Sequence, residues 1–400
     1  MGFVNAKIAR LKPSETLAVK TKANELRAAG REVLDLSTGE PDIDTPQHIK
    51  DAAAKAMRDG KTKYTAVAGI PELRKAIAQK LTEQNKLQIA ADQVIVTAGG
   101  KHALYALFDS ILEPGDEVIV FAPYWVSYLP MVQMAGGTAV VVVPGPGDGL
   151  RISPDRLKAA LTPKTKAVIL NSPSNPTGIG YNRAQLIEFG KVLESSTALI
   201  VSDEVYEKTT YDHFTFCSFG EACPDLQSRL VTINAFSKSY SMTGWRVGYA
   251  AGPKEIISAL ERHQSQATSN VCSIAQYAAL GALSGPHDFL SEMNSNFARR
   301  MALASRVIEE TPGLELRDRP DGAFYLFVHY DKERVAASKI GLNGSTELVK
   351  FLLEKGGVAA VQGEAFGDDS AFRISVAASD DSVSRGIQAI SECMKELIAS

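Results

Sequence analysis

The chain has little from which to build a metal site or a covalent framework. Its four cysteines, Cys217, Cys223, Cys272 and Cys393, include no CxxC pair. That spacing implies neither a zinc site nor a disulfide scaffold, and it points to reduced thiols. No metal is expected. An excess of one charge sign is missing too: 43 Lys and Arg against 46 Asp and Glu leave a formal charge of −3. With no basic patch interleaved with aromatics, there is no electrostatic ground for a nucleic-acid partner. No apolar run approaches the roughly 20 residues that span a bilayer. The start, Met1-Gly2-Phe3-Val4-Asn5-Ala6, has neither the apolar core of a secretion signal nor the myristoylation pattern. A cytoplasmic protein with no membrane partner is expected.

What is present is an ordinary globular composition, 45% hydrophobic and 22% charged. Four hundred residues suit two domains, or one large domain with an appendage. Short apolar runs alternate with amphipathic stretches through the middle of the chain. The runs Val94–Thr97, Glu117–Val120, Ala139–Val142, Lys166–Leu170, Ala198–Val201, Leu230–Ile233 and Arg246–Ala250 predict strands. Stretches 100–112 and 183–195 predict helices between them. Strands this apolar are buried on both faces, so 46–290 is expected to be an α/β sheet layered by helices. Beyond Gly285-Pro286, a helix over 287–310 and strands at Ala323–Val328 and Phe372–Val376 predict a smaller α/β domain. It is expected to span 291–400 and to take in the N-terminal arm, 1–45. The stretch Pro144–Gly149 is a turn-rich connection; no helix start follows it to complete a dinucleotide fingerprint.

One run carries most of the chemistry: Ser237-Lys238-Ser239-Tyr240-Ser241-Met242-Thr243-Gly244-Trp245-Arg246-Val247-Gly248-Tyr249. A lysine among small hydroxyl residues, just after a strand, can offer its amine to an aldehyde. Arg246, eight residues on, can meet a phosphate. Those are needs of pyridoxal 5'-phosphate, which narrows the function to reactions at the α-carbon of amino acids. The cofactor's other needs would collect at the carboxyl ends of strands in such a sheet. Asp203, after Ala198–Ser202, could keep a pyridine nitrogen protonated, or it could simply cap a helix. Tyr206 could donate to the ring oxygen or pack in the core. Gly99-Gly100-Lys101 opens a helix and could present backbone N–H groups to an anion, or be a plain turn. Asn175, in an Asn-Pro-Thr-Gly turn, could reach the ring oxygen, and Trp125 could stack on the ring or fill a core. Arg373, between apolar neighbours, calls for a carboxylate from a substrate or from a structural salt bridge.

Taken in order, these residues resemble the class I aminotransferases of PLP fold type I, in particular the bacterial-type aspartate aminotransferase subgroup. The similarity covers essentially the whole chain. It starts at Lys12-Pro13-Ser14-Glu15-Thr16 and passes through Gly39-Glu40-Pro41-Asp42, Lys63–Arg74 and Ala122–Tyr128. The Asn-Pro-Thr-Gly turn, Ser202-Asp203-Glu204, the lysine run and Phe372-Arg373-Ile374-Ser375 complete it. The resemblance implies a large domain with a mostly parallel seven-stranded sheet, a smaller α/β domain and a homodimer with shared active sites. By that likeness Lys238 is the Schiff-base lysine and the acid/base, and Asp203 pairs with the pyridinium. Asn175 and Tyr206 contact the ring oxygen, and Trp125 stacks on the ring. Gly99, Gly100, Lys101, Ser237 and Arg246 surround the phosphate, with Tyr64 reaching it from the neighbouring subunit. Gly39, Lys101, Trp125, Asn175 and Arg373 are the implied substrate contacts.

The subgroup associates a lysine at the place of Lys101 with an acidic substrate side chain. The expected reaction is therefore transamination between aspartate and 2-oxoglutarate. Gly363-Glu364-Ala365-Phe366-Gly367 departs from the subgroup pattern and puts an acidic residue near the expected substrate end. That departure leaves open aromatic, prephenate or neutral substrates. A β-lyase or decarboxylase on the same fold is the rival chemistry. A non-catalytic regulator is the rival class, although it would need a fused DNA-binding segment, for which the family pattern leaves no room.

Overall fold

The computed structural model describes residues 3–9, 11 and 15–399, so Lys12-Pro13-Ser14 of the first motif lie outside the described residues. The apolar runs become one seven-stranded sheet: β1 (Val94–Thr97), β2 (Glu117–Phe121), β3 (Thr138–Val142), β4 (Thr165–Asn171), β5 (Leu199–Asp203), β6 (Leu230–Ala235) and β7 (Gly248–Ala251). Their order across the sheet is β1-β7-β6-β5-β4-β2-β3. β7 runs antiparallel to both its neighbours and the other pairings are parallel. Alternate residues on each strand enter different cores. Val96, Ile119, Val168 and Ile200 pack on one face, and Ile95, Val118, Ile169 and Val201 on the other. Burial on both faces is why these strands read as continuous apolar runs.

The register aligns the strand ends that matter. Asn171 pairs with Asp203, Asp203 with Ile233, Ala235 with Gly248, and Gly248 with Thr97. One edge of the sheet thus carries the carboxyl ends of β1, β4, β5 and β6, from which the loops with the expected site residues leave. The seventh strand differs from the sequence reading. It begins at Gly248, and Arg246 precedes it in a left-handed backbone conformation, φ 54°, after a 3-10 turn. That turn aims the guanidinium back across the sheet's edge, where a strand would have pointed it to one face.

A second, antiparallel sheet is built around β8 (Tyr325–Tyr330) and β9 (Ala371–Ser375), in which Phe327 lies opposite Arg373. Val361–Gln362 and Leu314–Glu315 flank them. Phe324, Leu326, Val328, Phe372 and Ile374 form its core with Phe297, Met301 and Ile308 of the helix Asp288–Glu309. Leu34–Asp35 runs parallel with Val358–Ala359, and the Ser375 N–H donates to the Leu36 carbonyl at 2.8 Å. The chain then passes from this sheet into Ser37–Gly39, at the cavity described next. Among the described residues no helix is long and apolar enough to cross a membrane.

Candidate active site

The carboxyl edge of the large sheet and the second sheet enclose a cavity of about 380 Å³. Eleven of the thirteen expected site residues line it: Gly39, Gly100, Lys101, Trp125, Asn175, Asp203, Tyr206, Ser237, Lys238, Arg246 and Arg373. Gly99 stands just behind, and Tyr64 lies outside with 90% of its surface exposed.

The helix Gly100–Ile111 opens at the cavity after Gly99, which holds φ +87°. A Cβ on Gly99 would stand 2.6 Å from an Arg246 nitrogen, and one on Gly248 would stand 2.6 Å from the Gly100 nitrogen. Two glycines therefore let a helix N-terminus and a guanidinium converge with Ser237. First-turn N–H groups have no carbonyl one turn earlier, so this corner suits an anion.

Lys238 follows β6 on a short helix, Phe236–Ser239, and its Nζ donates to the Gly39 carbonyl. Burial pushes its pKa down to about 8; Arg373 and Arg246 push the same way, while Glu40 opposes them. Glu40 accepts a hydrogen bond from the Thr243 hydroxyl at 2.8 Å. Asp203, the last residue of β5, is buried and accepts from the Tyr128 hydroxyl at 2.7 Å and from the Val205 N–H at 3.3 Å. Burial raises its pKa to about 6, and those two donors only moderate the rise. Trp125 and Tyr128 meet in a T-shaped contact, with ring centres 5.4 Å apart, and the Lys101 ammonium lies 5.1 Å from the Trp125 ring centre. Burial and Arg246 lower the Lys101 pKa.

Arg373 is only 2% exposed. It donates to Asn175 Oδ1 at 2.9 Å and to the Ser37 carbonyl at 2.7 Å, while its Nε has no partner. Tyr325 and Phe366 flank it, their ring centres 4.4 and 5.1 Å from the guanidinium carbon. A buried guanidinium held by neutral acceptors alone is suited to taking a carboxylate. Tyr206 meets Tyr325 hydroxyl to hydroxyl at 2.9 Å.

Glu364 requires a correction. It is exposed, it does not line the cavity, and its carboxylate accepts from Thr346 at 3.1 Å. The 3-10 turn Gly363–Phe366 sends Phe366 inward beneath Arg373 and leaves Glu364 facing solvent. Sequence reasoning also missed Tyr128, Tyr325, Glu40 and Thr243. Glu40, Tyr128 and Thr243 sit inside runs already singled out, whereas Tyr325 gave no signal beyond that of an apolar strand.

Residues 31–390 match the family model described as aminotransferase class I and II. The chain belongs to that family. An aspartate/prephenate aminotransferase from Cereibacter sphaeroides is 48% identical over 384 residues, 95% of this chain and 96% of that one. An aspartate aminotransferase from Geobacillus stearothermophilus is 46% identical, covering 97% and 98%. Among solved structures, the Rhizobium meliloti aspartate aminotransferase superposes with a TM-score of 0.94 at 39% identity, covering 99% of both chains. The Thermus thermophilus enzyme with maleate gives 0.91 at 40% identity, covering 98% of this chain and 100% of the other.

Aminotransferases of this type use pyridoxal 5'-phosphate, and the donor set fits it. A helix start, Arg246 and Ser237 could hold a phosphate dianion. Lys238 is an amine partly neutral near physiological pH, and Asp203 is a buried acid short of a cation. Among the described residues no cluster of three or more His, Cys, Asp or Glu is placed to hold a metal.

Proposed function

We propose that this aminotransferase moves the amino group between aspartate and 2-oxoglutarate, working as a cytoplasmic homodimer. The observation that carries this reading is the cavity's charge. Among the described residues lining it, Lys101, Lys238, Arg246 and Arg373 face two carboxylates, Asp203 and Glu40. Such a site is complete only with several anionic groups, and a cofactor phosphate with a dicarboxylate substrate supplies them.

When bound, pyridoxal 5'-phosphate supplies an aldehyde that takes the amino group and a ring that accepts the electron pair released at the α-carbon. Lys238 would hold the cofactor through its amine and, as a free amine, would carry the proton at the substrate α-carbon. Its pKa of about 8 leaves a useful neutral fraction for that task. Asp203, its carboxylate fixed by Tyr128, would keep the ring nitrogen protonated. Asn175 and Tyr206, which line the cavity, would hold the ring oxygen, and Trp125 would support the ring. Gly99, Gly100, Lys101, Ser237 and Arg246 would hold the phosphate. Arg373 takes the α-carboxylate beside Gly39, Asn175 and Trp125, and Lys101 takes the distal one.

Tyr64 would reach the phosphate held by a neighbouring copy. Its exposure supports that role, as does a second groove, lined partly by Ile43, Val271 and Ile274, that shares Thr243 and Arg246 with the cavity. Four unpaired cysteines fit a reducing cytoplasm.

The test is a panel of amino donors against 2-oxoglutarate. Aspartate should give the highest kcat/KM; an aromatic or neutral donor in first place would defeat the assignment. The 48% identical relative is named for prephenate as well as aspartate, so prephenate belongs in the acceptor panel as the second reading.

A further inference from the structure

We propose that Tyr325 is a positioning residue that links Arg373 to the hydroxyl of Tyr206, so that seating a carboxylate on Arg373 weakens the hydrogen bond Tyr206 gives the cofactor. The inference rests on the roles given above to Arg373 and Tyr206.

Tyr325 pairs with Ser375, one pleat away from the Phe327–Arg373 pair. Tyr325 and Arg373 are therefore diagonal neighbours on one face of the sheet, with the guanidinium carbon 4.4 Å from the ring centre. Tyr325 is 1% exposed, and its hydroxyl lies 2.9 Å from that of Tyr206. A Cβ on Gly39 would come within 3.2 Å of this hydroxyl, so the glycine leaves it room.

Each hydroxyl has one proton to give. With Tyr206 donating to the ring oxygen, Tyr325 must donate to Tyr206, and consecutive bonds of this kind strengthen one another. The Arg373 charge beside the Tyr325 ring makes that phenol a better donor. A carboxylate on Arg373 cancels the charge and weakens both bonds in turn. Asn175 provides a parallel route, because its Oδ1 already accepts from Arg373. The other charged groups on this side of the cavity are Asp203, acting on Tyr206, and Lys238, which lines the cavity together with both tyrosines.

The test uses the cofactor-loaded protein. Tyr325→Phe keeps the ring beside Arg373 and removes only the hydroxyl. The readout is the pH midpoint of the lysine-bound cofactor's visible absorbance, with and without saturating maleate. In the variant the midpoint without maleate should rise by about one pH unit, and the upward shift caused by maleate should fall by about half, the Asn175 route remaining. In a Tyr206→Phe background, Tyr325→Phe should add nothing, since the effect passes through Tyr206. An unchanged midpoint and maleate shift, or an equal shift in the Tyr206→Phe background, overturns the inference and leaves the proposed function standing. A wild-type protein with no midpoint and no maleate response would sink that function and this inference together.

Discussion

Two lysines and three acids lie buried or half-buried on opposite sides of β5, and they are treated differently. Behind the strand, Lys80 is ion-paired with Glu207. Glu204 there accepts from Ser202 at 2.9 Å, Ser218 at 2.8 Å and Asn85 at 2.9 Å, and Asn85 also donates to Glu207. On the cavity side, Asp203 has one side-chain donor and Lys238 donates to a backbone carbonyl. The back cluster pairs Lys80 with Glu207, and burial with the neighbouring Glu207 pushes the Glu204 pKa up to about 7, towards its neutral form, whereas the front set is short of counter-charges. Buried charges completed from within are structural; those left incomplete are poised for a ligand. Ser202-Asp203-Glu204 reads as one polar triplet in the sequence, yet strand alternation sends Asp203 one way and its two neighbours the other.

Substitutions on each side should separate these roles. Lys238→Ala should lower kcat by more than about 10³-fold, with apo-protein melting little changed. Lys80→Met should do the reverse. It strands Glu207 in the interior and costs about 3–5 kcal/mol in denaturant unfolding, with KM for aspartate near the wild-type value. Equal activity losses in the two would erase the distinction.

Asp203→Asn sharpens it further. The folded Asp203 pKa of about 6 lies above the unfolded value of roughly 3.9. The folded apo-protein therefore binds the proton more tightly, and stability falls as pH rises through that window. The deficit is complete above about pH 6 and at most about 3 kcal/mol. Asp203→Asn apo-protein should melt higher than wild type at pH 7.5 and converge with it near pH 4. Loading with pyridoxal phosphate should reverse the order at pH 7.5, since only the aspartate can pair with a ring cation.

Smaller effects come from the cavity's other cations. Lys101→Ala should raise KM for aspartate about 10- to 100-fold while changing that for alanine far less; equal changes would remove Lys101 from substrate recognition. Uptake of pyridoxal phosphate by the apo-protein needs neutral Lys238. Its rate should climb roughly tenfold per pH unit below about pH 8 and then level off, as read by stopped-flow absorbance.

The sheet was legible in the sequence because strands buried on both faces leave unbroken apolar runs, and turns after them carry glycine and proline. Asp203 and Arg373 were legible because a charge at or after an apolar strand is conspicuous, and Lys238 because it stands among small hydroxyl residues just after a strand. Tyr128 and Tyr325 were not. A buried tyrosine looks like core, and their partners Asp203 and Tyr206 lie 75 and 119 residues away, joined only by the fold. Arg246 was misread as part of a strand because Val247–Ala250 continues the apolar run, while the left-handed turn before it leaves no mark in residue type. Glu364 was misplaced for a related reason: one turn decides which of two neighbours faces inward.

The most direct test is to load the protein with pyridoxal 5'-phosphate, fix the cofactor to its amine with borohydride, and map the modified peptide by mass spectrometry. A single modified site at Lys238 is predicted. A modification at Lys101 or any other lysine, with Lys238 bare, would contradict the account.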